Sequence, residues 1–276
     1  MFSFSKKEFK CNLPHDYSLH CLRFPGLWLS DTDLADLRTN IERVTLSELK
    51  SLPEYGVYLP SRDPYTNRII TLVHNKNEAK PAGFAAMVYC RVKVKNKIHP
   101  ILHLGLIVKS RSKLRRNLLF LIYYYPLIYF FVLRGFRSCW ITSVSMEPSI
   151  IGAVADNFGD VYPHYLGTTQ PTEIKRKIAR SFVSAQGHEF GLGPYAFLDE
   201  NKFVIKGSCQ GPSEAIRASF SHSAKYKDPR CNTYCQSTLD YERGDELLQI
   251  GHLSLNSALS GIVCKVKSDW NRKHPK

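Results

Sequence analysis

A chain of 276 residues, 43% hydrophobic and 12% aromatic, carries enough apolar side chains for a packed core and is not a disordered tract. Its 38 Lys and Arg against 24 Asp and Glu leave a net charge of +14. That excess favours anionic partners (nucleic acid, an anionic membrane face, an acidic carrier protein or a phosphate-bearing cofactor) without choosing among them.

The opening MFSFSKKEFKCNLP has no apolar leader segment, and residues 1–29 read as an irregular arm. The eight scattered cysteines, several inside apolar runs as Cys90 and Cys139 are, behave as small hydrophobes. A reducing, cytoplasmic compartment without disulfides is expected. Cys231 and Cys235 lie near His222 and His252 but lack a second pair at zinc-finger spacing, so no metal is expected.

Ser30 or Asp31 is placed to cap a helix whose Leu34, Leu37, Ile41 and Val44 recur at helical spacing. A second short helix is expected after Thr45, with Glu48 closing a capping box. Three strands follow, RIITLVHN, GFAAMVYCRVKV and ILHLGLIV, joined by polar turns as an antiparallel meander. The run from Leu118 to Leu133 is free of charge but short for a membrane span, and Pro126 sits at its centre. It reads as a buried crossover helix broken near Pro126. The crossover makes the strands ILHLGLIV and SCWITSVS parallel neighbours. IIGAVADNF is a helix with Ser149 near its start. Thr172 caps a further helix that stops at Gly187. NKFVIKGS is expected as a strand, RGDELLQIGHL as helix or strand, and SGIVCKVKS as a last strand.

IITLVHNKNEAKPAGFAAMVY, with its Gly83-Phe84 pair, then ILHLGLIVKSRSKLRRNLL and WITSVSMEPSIIGAVADNFGDVYP, resemble the second to fifth strands and third and fourth helices of GNAT-type (Gcn5-related) N-acyltransferases, over roughly Thr66 to Tyr165. The resemblance implies an α/β (α+β) fold: a mixed, mostly antiparallel sheet flanked by helices. Its core would be residues 30–165, with residues 166–276 completing the sheet or forming a small subdomain. It implies a fourth strand that bulges and splays from the fifth, so that a pantetheine arm docks there like an added strand. Leu106, Ile107 and Val108 hold that place. Pyrophosphate would sit at the next helix start, where backbone N–H groups and the helix dipole favour an anion. The family's glycine-rich turn is replaced by Arg111, Ser112, Lys113, Leu114, Arg115, Arg116 and Asn117. Lys113, Arg115 and Arg116 would compensate through charge and side-chain hydrogen bonds.

The resemblance thus implies acyl transfer from acetyl-CoA, a longer acyl-CoA or an acyl carrier protein to an amine on a small molecule, peptide or protein. The tyrosine that usually protonates the leaving thiolate is absent, its place falling near Ala153; Tyr162 or His164 stands downstream. His103 is the first candidate base, because period-two alternation sets it on the face of Gly105 and Ile107 and an imidazole titrates near neutrality. Glu147, directly after the fifth strand, is the second. A non-catalytic rival keeps the fold and uses the basic, aromatic surface for a membrane or protein partner. No nucleic-acid recognition module is present. Gly187 to Pro194 is glycine-rich but lacks a P-loop's Lys-Ser/Thr, and Ser143 lies in a strand, not in a nucleophile elbow.

Overall fold

The computed structural model describes residues 3–13, 16–77, 81–109, 116–167 and 170–254. The strands in chain order are β1 (Ser3–Phe4), β2 (Glu8–Leu13), β3 (Tyr17–Arg23), β4 (Arg68–Asn75), β5 (Pro81–Val94), β6 (Lys97–His103), β7 (Ile107–Lys109), β8 (Cys139–Ser145), β9 (Gly159–Tyr162), β10 (Phe197–Asp199), β11 (Val204–Lys206) and β12 (Glu246–Leu253). The helices are α1 (Asp31–Leu46), α2 (Arg116–Leu133), α3 (Pro148–Asn157), α4 (Glu173–Gln186) and α5 (Pro229–Thr238). One sheet runs β1-β2-β3-β4-β5-β6-β8-β12-β11-β10, with β7 alongside β5 and β9 alongside β12. Every pair is antiparallel except β6 with β8. The fold is therefore the expected mixed, mostly antiparallel sheet with flanking helices.

Helices cover both faces. On one, α1 presents Leu34, Leu37, Ile41 and Val44 to Ile70, Leu72 and Phe84, and α4 presents Ile178, Ala179 and Phe182 to Val88, Ile101 and Ile250. On the other, α2 presents Ile122, Leu127 and Tyr129 to Ile69, Met87 and Leu102, while Val154 of α3 joins the same core. The caps act as the sequence indicates: the Ser30 hydroxyl accepts from Asp33 N–H and the Thr172 hydroxyl from Lys175 N–H.

Four expectations are corrected. Residues 3–13 and 17–23 are not irregular but hold strands β1 to β3: β2 alternates buried Phe9, Cys11 and Leu13 with exposed Lys10 and Asn12, which lets it add to the sheet through β3. No second helix follows Thr45. Instead α1 continues to Leu46, and the Thr45 hydroxyl is taken up by Ile41 O and the Tyr58 phenol. Helix α2 runs through Pro126 unbroken; burial of its flanks offsets the roughly 3 kcal/mol that an interior proline costs. ILHLGLIV is two strands, β6 and β7, for the reason given below. RGDELLQIGHL resolves as strand β12, and SGIVCKVKS lies outside the described residues. Among the described residues no helix is long and apolar enough to cross a membrane.

Candidate active site at the split beside strand β8

β6 and β7 both pair with β5, but in different registers. His103 is opposite Val88 and Ile107 opposite Ala85, so four steps along one strand match three along β5. The extra residue is a bulge at Leu104–Leu106. Gly105 is required there, because a Cβ would stand 2.2 Å from the Ala86 carbonyl oxygen. The bulge turns the Gly105 carbonyl to the Tyr123 phenol of α2, at 2.8 Å.

The bulge also ends the parallel pairing. β8 follows β6 from Ile101/Trp140 to His103/Thr142, and Leu104 N–H still donates to Thr142 O at 2.7 Å. Beyond that point β7 stays with β5, and Ser143, Val144 and Ser145 pair only with β12. A split opens between them. Ala86 N–H donates to Leu106 O at 2.9 Å. In an antiparallel ladder that makes the next pair, Ile107 and Ala85, a non-exchanging one, so the Ile107 N–H and C=O point away from β5 into the split. Among the described residues β7 has no second strand partner.

Ser143 is the first β8 residue past the parallel pairing. It is 1% exposed, and its hydroxyl has no hydrogen-bond partner among the described residues. Across from it on β12, Gln249 is equally buried; its amide N–H donates to Pro163 O at 3.2 Å while its carbonyl oxygen has no partner. Two buried polar atoms left without bonds beside an open strand edge are what a bound polar chain would satisfy.

The sequence-selected residues fall in several places. Leu106, Ile107 and Val108 line the β7 side of the split. Arg111, Lys113 and Arg115 lie outside the described residues; Arg116 and Asn117 open α2, their side chains likewise outside. His103 does not share a face with Ile107, because the bulge inverts the alternation. Its ring packs against Phe182 and Phe190, centroids 5.1 and 4.1 Å away, on the α4 side. Its Nδ1 lies 3.1 Å from the Thr142 hydroxyl. Burial, helped by the charge of Arg68, pushes its pKa down to about 3. Such a ring is neutral and a weak proton acceptor near pH 7.

Glu147 caps α3, and its carboxylate accepts from Ala224 N–H at 2.6 Å. Tyr162 stands on β9, its ring edge-on to Phe203 and its hydroxyl donating to Asn201 O at 2.8 Å. His164 stacks on Tyr165 and accepts from Leu166 N–H. His103 on β6, Glu147 at the start of α3 and Tyr162 on β9 thus bond to Thr142, Ala224 and Asn201 respectively.

Sequence reasoning missed Tyr123, whose only local signal was a phenol in an apolar run. It also missed Glu246, buried at the start of β12, where burial pushes its carboxyl up while the Ser208 hydroxyl donates to it at 2.5 Å. Cys231 and Cys235 are both buried on α5. Among the described residues no three His, Cys, Asp or Glu are grouped to hold a metal ion.

No protein-family model and no curated protein matches this chain. Among the solved structures similar to it in part are the following two. A ribosomal-protein-S5-alanine acetyltransferase from Vibrio fischeri is 11% identical over 49% of this chain and 73% of that one, with a TM-score of 0.32. A GCN5-related glucosamine N-acetyltransferase region of a fungal multi-domain β-N-acetylglucosaminidase is 15% identical over 70% of this chain and 18% of that one, with a TM-score of 0.27. Likenesses this distant carry no assignment of residues or substrates.

Proposed function

We propose that the protein is an acyltransferase that takes an acyl group from acetyl-CoA, a longer acyl-CoA or an acyl carrier protein and passes it to an amine. The observation that carries this reading is the split between β7 and β8, with its outward-pointing Ile107 backbone groups. Amides of a pantetheine arm would pair with Ile107 as an added strand does. The buried Ser143 hydroxyl and Gln249 carbonyl supply an unmatched donor and acceptor beside it. Leu106 and Val108 would flank the arm. Lys109, Arg111, Lys113, Arg115, Arg116 and Asn117, strung between β7 and the first turn of α2, would meet its phosphates at a helix start.

The donor would bring the activated acyl carbon as a thioester. The chain would contribute orientation, the exclusion of water by α2 and α3, and an N–H at the split for the carbonyl oxygen. A second reading has a specific support of its own. Because His103, Glu147 and Tyr162 are engaged apart from one another, a protein that binds acyl-CoA without turning it over also fits the geometry.

Calorimetric titration with CoA, acetyl-CoA and medium- and long-chain acyl-CoA tests the shared premise. A ligand at about 100 times its Kd should add about 2.7 kcal/mol to stability. Absence of binding at millimolar concentration, together with no binding of a loaded carrier protein, overturns both readings. Release of free thiol over a panel of amines then separates enzyme from binder.

A further inference from the structure

The chain's acid-free stretch gathers much of its charge at the sheet end away from the split. Between Glu78 and Glu147 there is no Asp or Glu, but there are twelve Lys or Arg. β4 begins with Arg68 opposite Val88, and Tyr89 N–H still donates to Asn67 O, so β5 from Cys90 to Val94 pairs only with β6 and projects as a two-stranded ribbon. One face of this ribbon, Cys90, Val92 and Val94, is buried on the α4 side. The other carries Tyr89, Arg91 and Lys93, with Ile98 directly opposite Lys93. Helix α2 covers Tyr89, which packs on Phe130 and accepts from Arg134 at 2.9 Å. The helix then ends at Leu133 and leaves the rest of that face in solvent.

The turn that ends α2 stands at the same end, because β8 enters the sheet with Trp140 level with Ile101. In that turn Phe136 adopts a left-handed φ of 59°, edge-on to Phe131, and is 57% exposed. Ile98 is 60% exposed. At the ribbon's tip Lys95 takes a φ of 53°, at a position hairpin turns usually give to glycine. Ile98 and Phe136 therefore stand at the end of the sheet that carries Arg91, Lys93, Lys95, Lys97, Arg134 and Arg137, with Lys97, opposite Val94, on the other face of the ribbon. None of these six cations has an ion pair among the described residues.

We infer that this end of the sheet docks on an anionic lipid bilayer, with Phe136 and Ile98 entering the headgroup layer and the six cations facing lipid phosphates. Charge complementarity requires an anionic partner. The apolar tips choose the bilayer over nucleic acid: an aliphatic Ile98 and a lone Phe held in a strained turn make no stacking platform for bases, but suit a headgroup boundary. The inference does not depend on the acyl-transfer reading, since the split and this surface use different residues.

Co-sedimentation of the full chain with phosphatidylcholine vesicles, with and without phosphatidylserine, tests it. Binding is expected only with phosphatidylserine and should weaken as salt rises. Lys93→Glu with Lys95→Glu and Lys97→Glu should weaken it at least tenfold without altering the melting temperature, these lysines being exposed. Phe136→Ser with Ile98→Ser should remove the part of the binding that survives high salt. Phe136→Trp should be quenched by brominated acyl chains more than the wild-type tryptophans are. Equal binding to phosphatidylcholine alone, or no extra quenching of Phe136→Trp, overturns the inference. So does duplex RNA that displaces the vesicles while Phe136→Ser with Ile98→Ser leaves both affinities unchanged.

Discussion

The Tyr123 phenol donates a 2.8 Å hydrogen bond to the Gly105 carbonyl, joining α2 to the bulge that parts β7 from β8. Without this bond the half-buried Gly105 carbonyl at the bulge would lose its partner on α2. Burial pushes the phenol's pKa well up, so it remains a donor throughout the neutral range. The split is therefore held by a helix and not only by its own backbone.

Tyr123→Phe keeps the ring's packing and removes the donor. The expected cost is about 0.5–1.5 kcal/mol, that of one neutral hydrogen bond to a half-buried carbonyl. Urea titration should show a lower midpoint with an unchanged slope. Affinity for acyl-CoA should fall with it. A variant as stable as the wild type would mean that the bulge needs no support from α2.

Gly105→Ala and Gly135→Ala separate crowding from backbone strain. The Gly105 Cβ would meet main chain at 2.2 Å, and main chain cannot rotate away. Gly135 has nothing within 4 Å of its Cβ site but a φ of 63°. We expect about 1 kcal/mol for Gly135→Ala and more than about 3 kcal/mol for Gly105→Ala, read from thermal melts.

These glycines also mark where the sequence stops being readable. The limits of β4, and of β8 to within a residue, follow from β-branched runs bounded by polar turns, and the starts of α1 and α4 from Ser30 and Thr172. The bulge entered only through the family resemblance and not from the residue pattern, because ILHLGLIV is apolar apart from His103 and Gly105 and gives alternation too little to mark its phase. The face assigned to His103 failed for that reason, and its aromatic enclosure comes from Phe182 and Phe190, far along the chain. Helix α2 reads as broken because Pro126 is a local signal, whereas the burial that keeps it whole is tertiary. β2 did carry a legible alternation, Phe9, Cys11 and Leu13 against Lys10 and Asn12, too short to stand out beside basic and proline-containing neighbours.

His103 should appear in the pH dependence of stability. Its folded pKa, near 3, lies below the ordinary 6.5. Between those values the unfolded chain binds a proton that the native state does not, so stability rises with pH across that window and is lost as pH falls through it. In His103→Gln the difference in unfolding free energy between pH 4.5 and 7.5 should shrink by about 2–3 kcal/mol. Other histidines with lowered values, His20, His74, His99 and His252, contribute equally to both proteins. If turnover is found, its pH profile should not shift in this variant. A loss of about a hundredfold or more in rate with binding intact would instead restore the imidazole as a base.

Ser143→Ala gives opposite signs for fold and ligand. In the free protein the Ser143 hydroxyl is buried without a partner, and leaving such a group unmade costs about 1–3 kcal/mol. Replacing it with a methyl should leave stability unchanged or raise it by about 1 kcal/mol. If the hydroxyl is kept for a pantetheine amide at the split, the same change should weaken acyl-CoA binding about five- to tenfold, the worth of one neutral hydrogen bond. Ser143→Thr, which keeps the hydroxyl and adds a methyl, controls for crowding. Melting temperature and calorimetric Kd measured on the same samples decide it. Higher stability with unchanged affinity would make Ser143 an unused polar group in the core; lower stability with unchanged affinity would show that its hydroxyl is satisfied within the fold.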